Sequence, residues 1–356
     1  MLLKVKEGDG EGQGTSYGNI QVVYYPQCTL FHQTIEGDDI IVTYHGTSEG
    51  GGDNGAEDSA LRVPLEPSLE GLTTVPVDVF NSPADVYRMG EPYDAWFSTR
   101  FRYPVILVYI GDSRRPVLAH LPSDKRGPKN DEPAQQQGWL STLASFVLGS
   151  GQKQEDDNRF LTFNEAAPYL VTSRASLRDL NKRLPDGENA DMVVMRPNIV
   201  VDDSNPTPSP GENDHKSSGE RLEAWEEDYW GELKISRSGD EAGDGDDNHS
   251  PHLVLTANCG RCQSLNIDYA TGRPAEGERG KVLKKLMADR RVDQGNKYSP
   301  IFGRYAFLKL PSGGDSANVD DVGLEVAVGD EVVVTSRNKE RDFWNWPKTP
   351  TKTAKA

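Results

Sequence analysis

Apolar and polar positions alternate with the two-residue period of a strand along much of this chain. Ile20 and Val22 predict a strand over residues 19–25, and Ile40 and Val42 another over 39–44. Runs at 61–65 and 73–80 read the same way. The stretch 104–110 is apolar throughout, which predicts a strand covered on both faces. Later apolar runs fall at 160–163, 169–172, 192–195, 199–201, 233–235, 253–255, 301–308 and 331–335, and the last two close a sheet. Helical spacing occurs three times. Residues 94–101 would bury Trp96, Phe97 and Phe101. Residues 174–184 carry Leu177, Leu180 and Leu184 as a stripe, with Ser173 as N-cap and Pro185-Asp186-Gly187 as the stop. Residues 280–290 form a basic amphipathic segment with Val282, Leu283 and Leu286 inward. Trp225 and Trp230 are expected to cover a domain edge, and residues 1–18 read as a loose, glycine-rich start.

Between these elements the composition changes. Residues 46–58 form a Gly/Ser/acid loop, and polar linkers at 121–137 and 149–158 flank an apolar segment at 139–148. That segment is too short to span a bilayer and fits a core helix or a lid. Pro, Gly, Ser and acidic residues fill 203–220 and 239–250, which predicts two disordered insertions. The formal net charge is −17, and residues 201–250 alone hold 15 Asp/Glu against 4 Lys/Arg. The remainder is only mildly acidic and has no basic stripe, which argues against nucleic acid as a partner. Three cysteines make no disulfide framework, and no signal-peptide pattern or transmembrane-length apolar run is visible. An intracellular location, cytoplasmic or mitochondrial, is the expectation.

The chemistry concentrates in one stretch. An apolar strand at 253–255 leads to Asn258-Cys259-Gly260-Arg261-Cys262, and a second strand is expected where Leu265 and Ile267 alternate with Asn266 and Asp268. A thiol in a tight turn between strands is well held for metal or redox work. Arg261 beside Cys262 favours its thiolate. Two inert thiols in a half-buried turn are the plain alternative. A zinc site from His249, His252, Cys259 and Cys262 is the rival, weakened because strand 253–255 holds His252 away from the turn. Thioredoxin-like redox is weaker still, since no helix pattern follows Cys262. His32, His45 and His120 are isolated and read as ordinary residues.

The stretch 258–272, ending in Asp268-Tyr269-Ala270-Thr271-Gly272, resembles the signature of MOSC domains. Stretches 169–181, 195–201, 298–305 and 328–333 match the same family in order, so the resemblance spans roughly 160–335. It implies an α+β, mostly β fold: a MOSC β-barrel domain with flanking helices over 159–337, preceded by an incomplete small N-terminal β domain over 1–120. A linker at 121–158 and a mobile tail at 338–356 complete that plan. The family opens the small domain with a Pro-x-Lys-Ser turn that contacts the cofactor and an Arg shortly before a Pro. Here the chain begins beyond that turn, and Val23 stands near the expected Arg, ahead of Pro26.

The resemblance further implies a molybdenum cofactor, Mo-molybdopterin, with Cys262 as the metal ligand and catalytic centre. Hydroxyls at a helix start suit a phosphate, so Thr172, Ser173 and Ser176 are candidates, with ordinary capping as the alternative. Arg196, Asn198, Gly260, Arg261 and Tyr305 are the remaining cofactor-binding candidates, Arg196 having a structural salt bridge as its alternative. The implied activity is an oxidoreductase acting on small N-hydroxylated substrates, with electrons passed from NADH by a b5 reductase and cytochrome b5. Alternatives are a molybdenum cofactor or persulfide-sulfur carrier, or an inactive truncated relative. Pyridoxal phosphate binding is a further property associated with the family.

Overall fold

The computed structural model describes residues 1–6, 15–46, 60–122, 160–203, 222–237, 250–309 and 325–345. The apolar segment 139–148, nearly all of the two acidic insertions and the end of the tail lie outside the described residues. In chain order the strands are β1 Leu2–Lys6, β2 Ser16–Asn19, β3 Phe31–Glu36, β4 Asp39–Tyr44, β5 Leu61–Pro64 and β6 Thr74–Val79. There follow β7 Ser82–Arg88, helix α1 Tyr93–Phe101, β8 Val105–Tyr109, β9 Arg115–Pro116, β10 Phe160–Leu161 and β11 Tyr169–Ser173. Next come helix α2 Arg174–Asn181, β12 Ile199–Val201, β13 Trp230–Ser236, β14 His252–Gly260, β15 Ile267–Asp268 and β16 Arg273–Pro274. Helix α3 Val282–Met287, β17 Ile301–Lys309 and β18 Glu331–Arg337 end the series. The fold is mostly β, as the alternation of apolar positions predicts. The chain divides into two compact units. The first holds 1–115, 184–194 and 261–285, and the second holds 116–183, 195–260 and 286–356, so the units interleave along the chain.

In the first unit a five-stranded sheet runs β2-β1-β8-β7-β6, beside a three-stranded sheet β3-β4-β5 and the short pair β15-β16. Strand β8 pairs antiparallel with both β1 and β7 and buries Val105, Ile106 and Val108, as its continuous apolar run predicts. Phe97 and Phe101 of α1 pack with Phe31, Val42, Leu61 and Val105, while Trp96 is only partly buried. The buried Asp94 fastens α1 to the sheet: its carboxylate accepts the Leu107 amide at 2.9 Å and Arg88 Nε at 2.7 Å.

The start of the chain differs from the loose segment expected. Leu3 pairs with Ile106 of β8 and with Asn19 of β2, and is fully buried. Leu2, Leu3 and Val5 carry enough apolar surface for a strand; the glycines that suggested looseness follow at 8–14. The strand expected over 19–25 stops at Asn19. The Tyr24 and Tyr25 amides turn back onto the Gln21 carbonyl, and Pro26 starts a 3-10 helix, Pro26–Leu30. Proline has no N–H for a ladder and fixes the φ that such a turn needs.

In the second unit six strands form a nearly closed, barrel-like sheet in the order β12-β11-β17-β14-β13-β18. Every neighbouring pair is antiparallel except β11 with β12, which is parallel. Strand β17 lies between β11 and β14 and is buried from Ile301 to Phe307. Gly303 has φ +83°, and a Cβ there would meet Thr172 Cγ2 and the Val171 carbonyl oxygen at 2.7 Å, so no other residue fits. Trp230 is fully buried among Leu233, Ile235, Leu253 and Leu255 and is core, not the edge cover expected. The 192–195 run is a 3-10 turn instead of a strand.

A buried charge cluster ties this unit together. Asp228, in the 3-10 helix Glu226–Tyr229, is fully buried. Arg290 Nη2 donates to both of its carboxylate oxygens at 2.7 and 3.0 Å, and Arg341 Nε donates to one at 2.8 Å. Arg304 of β17, also fully buried, donates to the Asp228 carbonyl at 2.5 Å and the Leu255 carbonyl at 3.2 Å, and pairs with Asp342. Removing one partner of a buried pair strands the other charge in a poor solvent. Asp228→Asn is therefore expected to lower unfolding free energy by about 3–5 kcal/mol in urea denaturation. A loss below about 1 kcal/mol would show that the cluster does not hold the unit.

Candidate functional site

The thiol-bearing turn begins where β14 ends at Gly260. Cys262 is exposed and stands at the N-cap of a 3-10 helix, Gln263–Asn266. The expected second strand is thus only Ile267–Asp268, because Leu265 and Asn266 belong to this turn. The turn is clamped on several sides. Leu265 is its fully buried anchor. Arg279 Nη1 donates to the Leu265 carbonyl at 2.6 Å, and the Asn266 side chain accepts the Leu283 amide of α3 at 3.0 Å. The Asn266 carbonyl accepts the Ala275 amide at 2.8 Å.

The rest of the motif serves the loop after it. Asp268 accepts from the Ala270 amide and the Thr271 hydroxyl, each at 2.9 Å. Gly272 sits at φ +62°, and a Cβ there would come within 2.9 Å of Leu30 Cγ. The motif therefore encodes mainly a rigid support, on which one thiol is displayed.

The other cysteine is built differently. Cys259 is 1% exposed and packs with Ala257, Leu170, Tyr305, Phe307 and Trp344 in a core cluster. His252 is engaged by Glu232 at 2.8 Å, and among the described residues no three His, Cys, Asp or Glu side chains gather as a metal set.

The remaining candidates lie mostly in the second unit. Ser173 caps α2, its Oγ accepting the Ala175 and Ser176 amides at 3.1 and 3.4 Å. Ser176 is fully buried; its hydroxyl donates to Glu227 Oε2 at 2.7 Å and accepts the Trp225 amide at 2.7 Å. Thr172 is fully buried in β11, and Tyr305 belongs to the Cys259 cluster. The Leu170 amide donates to Asn198 Oδ1 at 2.8 Å, and the Asn198 amide donates to the Leu170 carbonyl at 2.9 Å. A Cβ at Gly260 would lie 2.4 Å from Asn296 Nδ2 and 3.2 Å from Ser299 Cβ, so the Asn296 side chain would have to shift. Arg261, in the first unit, is 5% exposed. Arg196 contrasts with all of these. It is exposed, has φ +52° immediately before Pro197, and makes no hydrogen bond or ion pair among the described residues. A left-handed backbone at a non-glycine residue costs on the order of 1–3 kcal/mol and tends to persist where a side chain is aimed for use.

The MOSC domain model matches residues 158–333. The chain contains a MOSC domain. It is similar to "Mitochondrial amidoxime-reducing component 1" of Danio rerio, at 26% identity over 264 residues, 73% of this chain and 60% of that protein. The proteins of the same name from Homo sapiens and Mus musculus are 28% and 30% identical over 155 residues, 42% of this chain and 35% of each relative. The chain thus spans between about a third and three-fifths of the length of these relatives.

Two of the candidate side chains suit a molybdenum cofactor by their own chemistry. An exposed thiol offers a soft donor to a metal, and an uncommitted guanidinium offers a fork for a phosphate. The hydroxyls of Ser173 and Ser176 are spent inside the fold, so capping and tethering account for both. Sequence reading missed Ser264, Arg279, Glu227 and Asp228. The first two lie in or near the quoted stretch, but nothing local marks Glu227 and Asp228 as buried.

Burial raises the Glu227 carboxyl from 4.5 to about 7, against the Ser176 hydrogen bond that opposes the shift. In the folded state it therefore binds more protons than in the unfolded state between those values. Stability falls as pH rises from about 4.5 to about 7 and levels off above, a change on the order of 3 kcal/mol. Urea denaturation across this range is expected to show that slope, and Glu227→Gln to remove it. An unchanged slope in the variant would assign the pH dependence to other groups.

Proposed function

We propose that this chain binds a molybdenum cofactor through Cys262 and acts as an oxidoreductase on small N-hydroxylated compounds. One contrast carries the reading. Of the two motif cysteines, Cys262 is exposed on a clamped turn, while Cys259 is shut in the core. The MOSC match and the likeness to amidoxime-reducing components support the choice of cofactor and substrate class. When bound, the molybdenum centre supplies a two-electron change as oxygen leaves the N–OH group.

The residues of this chain contribute holding and orientation. Cys262 gives the thiolate, and the turn anchored by Leu265, Asn266 and Arg279 fixes where it stands. Arg196, held by its strained backbone and by Pro197, offers its guanidinium to an anionic phosphate. Electrons come from NADH through a b5 reductase and cytochrome b5, partners adopted from the same likeness. The mitochondrial name of the relatives supports placing the chain at a mitochondrion. Among the described residues no helix is long and apolar enough to cross a membrane.

Molybdenum content of the purified full chain tests the core of the reading. Cys262→Ser is expected to abolish metal retention and reduction of an N-hydroxylated probe such as benzamidoxime, while Cys259→Ser keeps most of both. Equal losses from the two variants would overturn the assignment of Cys262. Cyanide-releasable sulfur on Cys262 without turnover would mark a sulfur-carrying module instead. For Arg196→Ala, cofactor affinity should fall some tens of fold, about 2 kcal/mol, with apo melting unchanged. A destabilised apo protein with unaltered affinity would return Arg196 to a structural role.

A further inference from the structure

We propose that Ser264 is a positioning residue for Cys262, orienting its sulfur and tuning it through a hydroxyl–sulfur hydrogen bond. The proposal rests on the reading of Cys262 as the molybdenum ligand. Cys262 Sγ lies 3.3 Å from Ser264 Oγ, and this is its hydrogen-bond partner among the described residues. The two side chains differ in setting. Cys262 is exposed, so packing does little to choose among its three staggered rotamers. Ser264 is 1% exposed and sits beside the buried anchor Leu265. Its carbonyl accepts the Ile267 amide where the 3-10 helix ends, which fixes the backbone that carries the hydroxyl. A fixed, sheltered hydroxyl thus meets a movable, solvent-facing thiol and selects the rotamer that reaches it.

The direction of the hydrogen bond follows from the proton inventory. In the neutral thiol, either group can donate. Once the sulfur is a thiolate bound to a metal, the hydroxyl holds the only proton, so Ser264 donates to sulfur. A sulfur that accepts a hydrogen bond gives less electron density to its metal, and such contacts raise the potential of metal–thiolate centres. Ser264 would therefore favour the reduced metal, and would do so without touching metal or substrate. The plain alternative is a buried hydroxyl that uses the nearest sulfur only to avoid being unsatisfied.

Infrared spectroscopy of the metal-free full chain reads the contact directly. The S–H stretch of Cys262 is identified by its loss in Cys262→Ser. Ser264→Ala is expected to shift that band toward the position of a free thiol, and Ser264→Thr, which keeps the hydroxyl, to restore it. A band unmoved in Ser264→Ala overturns the hydrogen bond, whatever happens to the melting temperature. In the molybdenum-loaded chain, Ser264→Ala is expected to change the electron paramagnetic resonance g-values of the one-electron-reduced metal and lower its potential, with Ser264→Thr close to the parent. Retained molybdenum with unaltered g-values overturns the tuning role. If Cys262→Ser itself retains molybdenum, the ligand reading fails and the tuning with it, and the infrared result still decides the contact.

Discussion

A carboxylate taken out of water must be answered by cations that are themselves held in place. Asp228 meets that condition in the second unit: Arg290 and Arg341 reach its carboxylate, and Arg304 reaches its carbonyl. These groups come from a 3-10 helix, a loop after α3, the central strand β17 and the last described segment. Four parts of the chain far apart in sequence are thereby set to one position. Hydrophobic burial alone is not directional, whereas a shared carboxylate admits few arrangements. Arg290 also lies over the Trp225 ring, 4.0 Å from its centre, so the indole takes its place from the same cluster.

The first unit achieves order at the thiol turn by another route, with backbone groups in place of paired charges. Arg279 and the Ala275 amide answer the Leu265 and Asn266 carbonyls of a turn too short to satisfy itself, and the Asn266 side chain in return accepts the Leu283 amide of α3. Asp268 does the same for the loop that follows. The cost of ordering is thus met by groups that do no chemistry. That arrangement leaves Cys262 free to face solvent while its support stays rigid.

What could be read from the sequence was local. The cap at Ser173, the stripe on α2, the strand β8 and the turn that holds the cysteines all depend on neighbours a few residues away. Strand β3 was missed because only Phe31 of its six residues is buried, so it carries no alternation to detect. Trp230 looked like a surface aromatic because acidic residues surround it in sequence, yet one of them, Asp228, turns inward to Arg290 and Arg341, 62 and 113 residues distant. Ser173 and Ser176 matched a cofactor pattern, and their hydroxyls are engaged by amides and by Glu227. Residue type allowed both roles, and only the fold shows which partners are already present.

The unequal exposure of the two motif cysteines also sets how the chain ages. Oxidants reach a solvent-facing thiol first, and the climb from sulfenic to sulfinic acid soon passes the point of ordinary reversal. A sulfinic acid no longer offers the soft thiolate on which a metal would sit. Cys259, at 1% exposure, is spared by the same packing that keeps it from acting. Chains held in air would thus lose the thiol proposed as the metal ligand while their fold remained intact. A folded sample and one with an intact Cys262 thiol are, for this protein, separate conditions.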